Sequence, residues 1–206
     1  MPQSLPVSIK PMRVSYGRDI QVIYPHVFGM RDRGMERFIN QNIIHETQQL
    51  INMQIAEMPT TLVEMDGSFE IKNNQRDVLS LSLYNYAYHY QAAHGMTYIK
   101  SLTFDLEKNS RCSLGDLFKP ESNYVDRLSE LINEQIQERD IGTFEDTVKI
   151  QPDQDFYIAD KALVIYFQLY EITPYVFGFP MFPISVYSIQ DIINEDGPLG
   201  RMAENN

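Results

Sequence analysis

The sequence contains no tryptophan, a single cysteine (Cys112) and no apolar run of membrane-spanning length. One thiol forms no intrachain disulfide, so the fold must rest on packing and hydrogen bonds. The start, Met1-Pro2-Gln3-Ser4-Leu5-Pro6, lacks the basic n-region and apolar h-region of a signal peptide. As it stands the chain reads as cytoplasmic; trimmed from a longer protein, it would read as extracytoplasmic. Cations are scarce, 17 Lys and Arg against 28 Asp and Glu, for a net charge of −11. That balance argues against nucleic acid, which needs clustered Lys and Arg, and against an anionic membrane surface. It suits a basic partner, or simply solubility, which is the commoner reason.

Catalytic signatures are missing too. There is no Gly-x-Ser-x-Gly elbow and no phosphate-cradling glycine loop. The four histidines, His26, His45, His89 and His94, show no zinc spacing and have no cysteine pair beside them. His89 and His94 flank a turn and are placed to approach each other, but two imidazoles alone do not make a metal site. Carboxylates are plentiful, yet spacing singles out no glycosidase pair. The expectation is no metal, no cofactor and no enzymatic activity.

What the chain does have is 43% hydrophobic residues, with 13 Tyr and 11 Phe among 206, enough for a substantial core. Residues 5–28 alternate as two strands around Tyr16-Gly17-Arg18, with Pro25 and Gly29 ending the pattern. Residues 31–57 carry Met35, Ile39, Ile43, Leu50, Ile51 and Ile55 at helical spacing, Asp32 and Glu36 at the start, Pro59 at the end, and Asn40 and Gln41 on the polar face. Residues 61–71 read as strand broken near Asp66-Gly67. In 78–90, Leu79, Leu81 and Leu83 share one face and Tyr84, Tyr86, Tyr88 and Tyr90 the other. The tyrosines form either a binding platform or, more commonly, a row packed under a helix with hydroxyls at the rim. Gln91–Gly95 turns the chain, Gly95 at positive φ, into a return strand over 96–106. Asp105 and Asp116 suit turn or helix-end acceptors. A second amphipathic helix spans 122–138.

The stretch Ala162–Gly178 organises the rest. Leu163 to Leu169 is apolar except for Gln168, as in a strand covered on both faces. The chain then turns abruptly polar and aromatic: Tyr170, Glu171, Thr173, Pro174, Tyr175, Gly178. A last strand over 182–187 leads to a turn capped by Ser188, and the polar tail from Asn194 reads as loose. The class is α+β, mostly antiparallel sheet with two amphipathic helices packed on it. The expected divisions are residues 1–75, residues 76–193 cooperating with them, and the tail 194–206.

Three stretches carry a resemblance. They are Ala92-Ala93-His94-Gly95-Met96-Thr97-Tyr98 running on to Leu114-Gly115-Asp116-Leu117-Phe118, Phe156 to Phe167, and Tyr170 to Gly178 with Pro183-Ile184-Ser185-Val186. Together they resemble the bacterial domain of the extracytoplasmic part of the lysozyme-sensing anti-sigma factor of bacilli, which also occurs beside peptidoglycan deacetylase domains. The resemblance covers residues 75–193, and over 15–75 it rests on Phe38, Ile39 and Asn40. Neither the sigma-binding segment nor a deacetylase domain is present, so the resemblance implies a ligand-binding module of envelope type. The implied partners are a basic protein such as lysozyme or, as an alternative, peptidoglycan fragments, with no nucleic acid and no membrane span. An intracellular protein of unrelated role is the third reading.

The loop is the best candidate for the partner-binding site, through Tyr170, Glu171, Pro174, Tyr175 and Gly178, with His94 from the family's turn motif. Pro174 fixes φ, Gly178 permits a sharp turn, and Tyr175 offers a large ring at low entropy cost. In the alternative reading Tyr170 and Tyr175 are internal latches and His94 bonds local backbone.

Overall fold

In the computed structural model, which describes residues 5–204, period-two sequence becomes strand almost throughout. Strands β1 (Ser8–Tyr16), β2 (Ile20–Phe28), β3 (Leu62–Gln75), β4 (Val78–His89), β5 (Met96–Asp105) and β6 (Ser110–Arg111) form one sheet in that order, antiparallel except at β2–β3. A second sheet holds β7 (Phe156–Ala159), β8 (Ala162–Tyr166) and β9 (Met181–Ser185). Helices α1 (Arg33–Glu57), α2 (Tyr124–Glu138) and α3 (Pro198–Ala203) complete the α+β architecture.

The elements stack in four layers. Helix α1 lays Ile39 and Ile43 on the leucine face of β4, and both are fully buried with Leu79, Leu81 and Leu83. The opposite face of the large sheet meets the small sheet, where Ile99 and Tyr84 pack with Tyr157, Val164 and Tyr166. Leu163 and Ile165, pointing the other way from β8, pack with Leu128 and Ile132 of α2. Strand β8 is thus covered on both sides, as its apolar run requires. Asp32 caps α1, its Oδ1 accepting from Gly34 N–H at 2.8 Å and Met35 N–H at 3.0 Å.

Several expectations are corrected. Strand β3 runs through Asp66-Gly67 without a break: Gly67 is small because β2 lies against it, and a Cβ there would sit 2.4 Å from Val22 Cγ1. Pro25 lies inside β2 opposite Pro11. Asn40 faces inward, and its amide holds Val27. Ser185 caps the turn after β9, accepting from Tyr187 N–H. The tyrosine row lies under the small sheet and nearby loops, with Tyr84, Tyr86 and Tyr88 half-buried and Tyr90 exposed. The segment after Asn194 is ordered through Glu204, with Leu199 and Met202 buried; Asn205 and Asn206 lie outside the described residues. Arg201 anchors α3 by donating to Asp105 at 2.7 Å, Glu107 at 2.8 Å and the Arg76 carbonyl at 3.1 Å.

Four side-chain amides each grip one backbone residue through both its N–H and its C=O. Asn40 holds Val27 at 2.9 and 2.8 Å, and Asn74 holds Val7 at 3.2 and 2.9 Å. Asn133 holds Val148 at 2.9 and 2.7 Å, and Gln168 holds Ile99 at 3.1 and 2.8 Å. These are the two bonds a neighbouring strand would supply.

Two substitutions test the layering. Ile43→Ala is expected to cost roughly 2–5 kcal/mol in denaturant unfolding, as for a core cavity. Gln168→Glu removes the donors to Ile99 O and Asp155 Oδ2 and sets a carboxylate against Asp155. It is expected to cost roughly 1–3 kcal/mol, as for a buried carbonyl left unpaired. A loss under about 0.5 kcal/mol for either would refute the packing described.

Candidate functional site

The loop that follows β8 is built from the inside out. Phe167 and Leu169 are buried, and Gln168 ties the chain to β5. Tyr170 then adopts φ +65°, a left-handed backbone that costs a tyrosine about 1 kcal/mol and swings the chain outward. The Glu171 carboxylate accepts from Gln168 N–H at 2.7 Å and Gln154 Nε2 at 3.1 Å, bracing the base of the loop. Ile172 packs on the core and Thr173 is fully buried. From Pro174 the chain emerges. Tyr175–Phe177 is a 3-10 turn closed by Phe177 N–H to Pro174 O and Gly178 N–H to Tyr175 O, both 3.0 Å. Gly178 takes φ +66°, the sharp turn expected of it.

The structure brings His94, Tyr170 and Tyr175 together. The His94 ring stacks on Tyr175 with centroids 4.4 Å apart, and Tyr170 lies 5.5 Å from Tyr175. His94 Nδ1 lies 2.9 Å from Gly95 O, which only accepts, so Nδ1 carries the proton. In the neutral ring Nε2 then accepts from the Tyr170 hydroxyl at 3.1 Å. Gly95 does not have positive φ, contrary to expectation; its role is close approach, since a Cβ would lie 2.1 Å from the Tyr86 ring. Burial pushes the Tyr86 phenol above its ordinary pKa, with Glu64 and Tyr175 adding to the shift.

His89 does not meet His94. It is buried on the α1 side, its ring nitrogens 3.1 Å from Thr60 O and 2.8 Å from Gln54 O. Asp105 and Asp116 accept from turn N–H groups, as expected. Burial, helped by Asp105 and Asp116, pushes the Cys112 thiol up to about 11, which suits packing rather than nucleophilic chemistry. Among the described residues no group of three or more His, Cys, Asp or Glu converges as metal ligands.

Around the ring cluster the surface is apolar. Val176 is 85% exposed, and Phe144, Phe177 and Tyr170 are also exposed. Phe144 is placed by its N–H donating to Ile172 O at 2.9 Å, and Gly142 backs the Phe177 ring. Beside Phe144 a cleft of about 300 Å³ is lined by Glu145, Val148, Phe167, Glu171 and Ile172 among others. Sequence reasoning missed Phe144, for which no local signal exists. It also passed over Gln168, whose signal was visible as the one polar residue in an apolar run.

Residues 115–187 match the family model described as "Protein of unknown function (DUF3298)". The chain is 28% identical over 194 residues to the anti-sigma-V factor RsiV of Bacillus subtilis (strain 168), a match covering 84% of this chain and 65% of that protein. It is 22% identical over 171 residues to the peptidoglycan-N-acetylmuramic acid deacetylase PdaC of the same organism, covering 80% and 36%. The chain thus spans less than two thirds of either relative. Among solved structures, a DUF3298 family member from Bacteroides fragilis superposes with a TM-score of 0.73 at 13% identity, covering 98% of this chain and 99% of that one. A DUF3298 protein from Pseudomonas aeruginosa PAO1 gives 0.67 at 13% identity, covering 99% of each. Residues 115–187 are thus similar to the DUF3298 family model, and the chain as a whole shares the fold of the solved DUF3298 structures.

Proposed function

We propose that this chain is a non-catalytic binding domain of a sensor type for a basic protein such as a lysozyme, with the loop at Pro174–Gly178 and His94 as its anchor. The observation that carries the reading is the ring cluster at an exposed, braced loop: His94 stacks on Tyr175 while Val176 stands 85% exposed. Burial explains Ile172 and Thr173 but gives no reason to hold Val176 and Phe177 out in water. Aromatic side chains in such settings are the commonest energetic anchors. Glu171 contributes through the brace at the base, and Tyr170 by holding His94. The net charge of −11 steers a basic partner inward, faster at low salt. The similarity to RsiV supports a sensor over an enzyme, and the similarity to PdaC supports a cell-wall setting.

Titration of the chain with a basic lysozyme tests this. Tyr175→Ala is expected to weaken binding by about 2 kcal/mol, roughly thirtyfold. Val176→Asp is expected to weaken it comparably while leaving the melting temperature unchanged, since that side chain makes little core contact. A large fall in melting temperature for Tyr175→Ala with unchanged affinity of the folded fraction would remove the loop from the site. Saturable binding of soluble peptidoglycan fragments, with none of lysozyme, would establish the polysaccharide reading instead.

A further inference from the structure

The β1–β2 ribbon presents a second surface, unlike the first in charge. Strand β1 is the edge of the six-stranded sheet, and eight of its nine residues are exposed. Long edge strands are normally covered or blunted, because their free N–H and C=O groups invite another chain. The register shows which groups are free. Pro11 lies directly opposite Pro25, and two prolines cannot exchange N–H···O bonds, so this is a non-bonded pair. Pro11 therefore directs only a C=O outward, and by alternation Ile9, Arg13 and Ser15 direct both N–H and C=O away from β2. Val27, opposite Ile9, confirms the parity: its backbone turns away from β1 and is held by Asn40.

The side chains fit an added strand as well. Met12, Val14 and Tyr16 lie opposite Tyr24, Val22 and Ile20, and so share the α1 face of the sheet. They are 37%, 51% and 82% exposed. Ile51 of α1 packs on Val22 and Ile20, and Ile44 and Ile55 on the same helical stripe are 52% and 55% exposed. An apolar trough therefore runs between the edge strand and the helix flank. The ribbon's charge is opposite to that of the rest of the molecule. Residues 8–28 hold three of the 17 cations but one of the 28 acids, a net of +2, which leaves −13 for the remainder. Lys10 and Arg13 lie on β1 itself and Arg18 in its turn, where Asp19 is the one acid.

We propose that β1 and the α1 flank dock an extended acidic segment of a partner protein, added as a further strand on the sheet. Backbone pairing supplies affinity, apolar side chains on alternate positions enter the trough beside Lys10, and acidic ones, on the opposite face, meet Arg13. A second copy's β1 is a poor occupant, because antiparallel pairing would line up Lys10 and Arg13 of both copies along one seam. This site is independent of the Tyr175 loop and stands whether or not that loop binds a basic protein.

The probe is a labelled peptide of alternating glutamate and valine spanning the nine residues of β1, titrated against the full chain. Saturable binding is expected, with none for a lysine–valine peptide. Ser15→Pro removes one outward donor without a charge and without a bond to β2, and is expected to weaken binding roughly tenfold. Val14→Glu, on the trough side, is expected to do the same, and serves if the proline variant melts early. Tyr175→Ala is expected to leave this binding unchanged. No saturable binding, equal binding of the lysine peptide, or wild-type affinity in a folded Ser15→Pro variant would overturn the proposal. So would capture by phosphatidylglycerol vesicles with no peptide binding, which would assign the surface to lipid.

Discussion

The layers of this protein are held in register by a carboxamide gripping a peptide unit. At Val7, Val27, Ile99 and Val148 a residue has a backbone N–H and C=O turned away from any strand, and an Asn or Gln supplies both partners. A buried unpaired peptide group costs about as much as a lost hydrogen bond, so a sheet that ends inside the protein needs such a partner. A primary amide donates and accepts side by side from one planar head, the spacing a peptide N–H and C=O require. An acid at these positions loses the donor and an aliphatic residue loses both. The grip also fixes orientation: Asn40 locks α1 to β2, Asn74 locks the start of the chain to β3, and Asn133 locks α2 to the segment before β7.

The candidate site depends on the fourth of these. Gln168 joins the small sheet to β5 just before the chain turns outward at Tyr170. The β4–β5 turn bearing His94 and the loop bearing Tyr175 belong to different sheets, and that amide, with the Lys100–Asp155 ion pair at 2.8 Å, spans them. The stacking of His94 on Tyr175 is set by how firmly the two sheets are joined.

Much of this was legible in the sequence, and the limits have physical reasons. Parity and helical period are local, so α1, α2 and the hairpins could be read from spacing alone. The chemistry of the 170–178 loop stood out because its composition changes abruptly after an apolar strand. Gly67 was misleading: glycine as a break and glycine as room for a neighbouring strand look alike until β2 is in place. Helix α3 was illegible because six residues around Gly197-Pro198 have little helical preference of their own; Leu199, Met202 and Arg201 hold it through contacts made far away in sequence. Tyr170 and His94 are separated by 76 positions, and no local pattern announces their meeting.

The left-handed backbone at Tyr170 has a consequence for time as well as shape. The loop beyond it is fixed at both ends, by Gln168 and Glu171 before the turn and by Gly178 after it, and Pro174 and two short-range bonds stiffen its tip. Little ordering is left to be done when another molecule arrives. A loop of this kind would meet a binding partner as a preformed shape, so that encounter rather than rearrangement would limit association and differences among partners would fall mainly on how long each one stays.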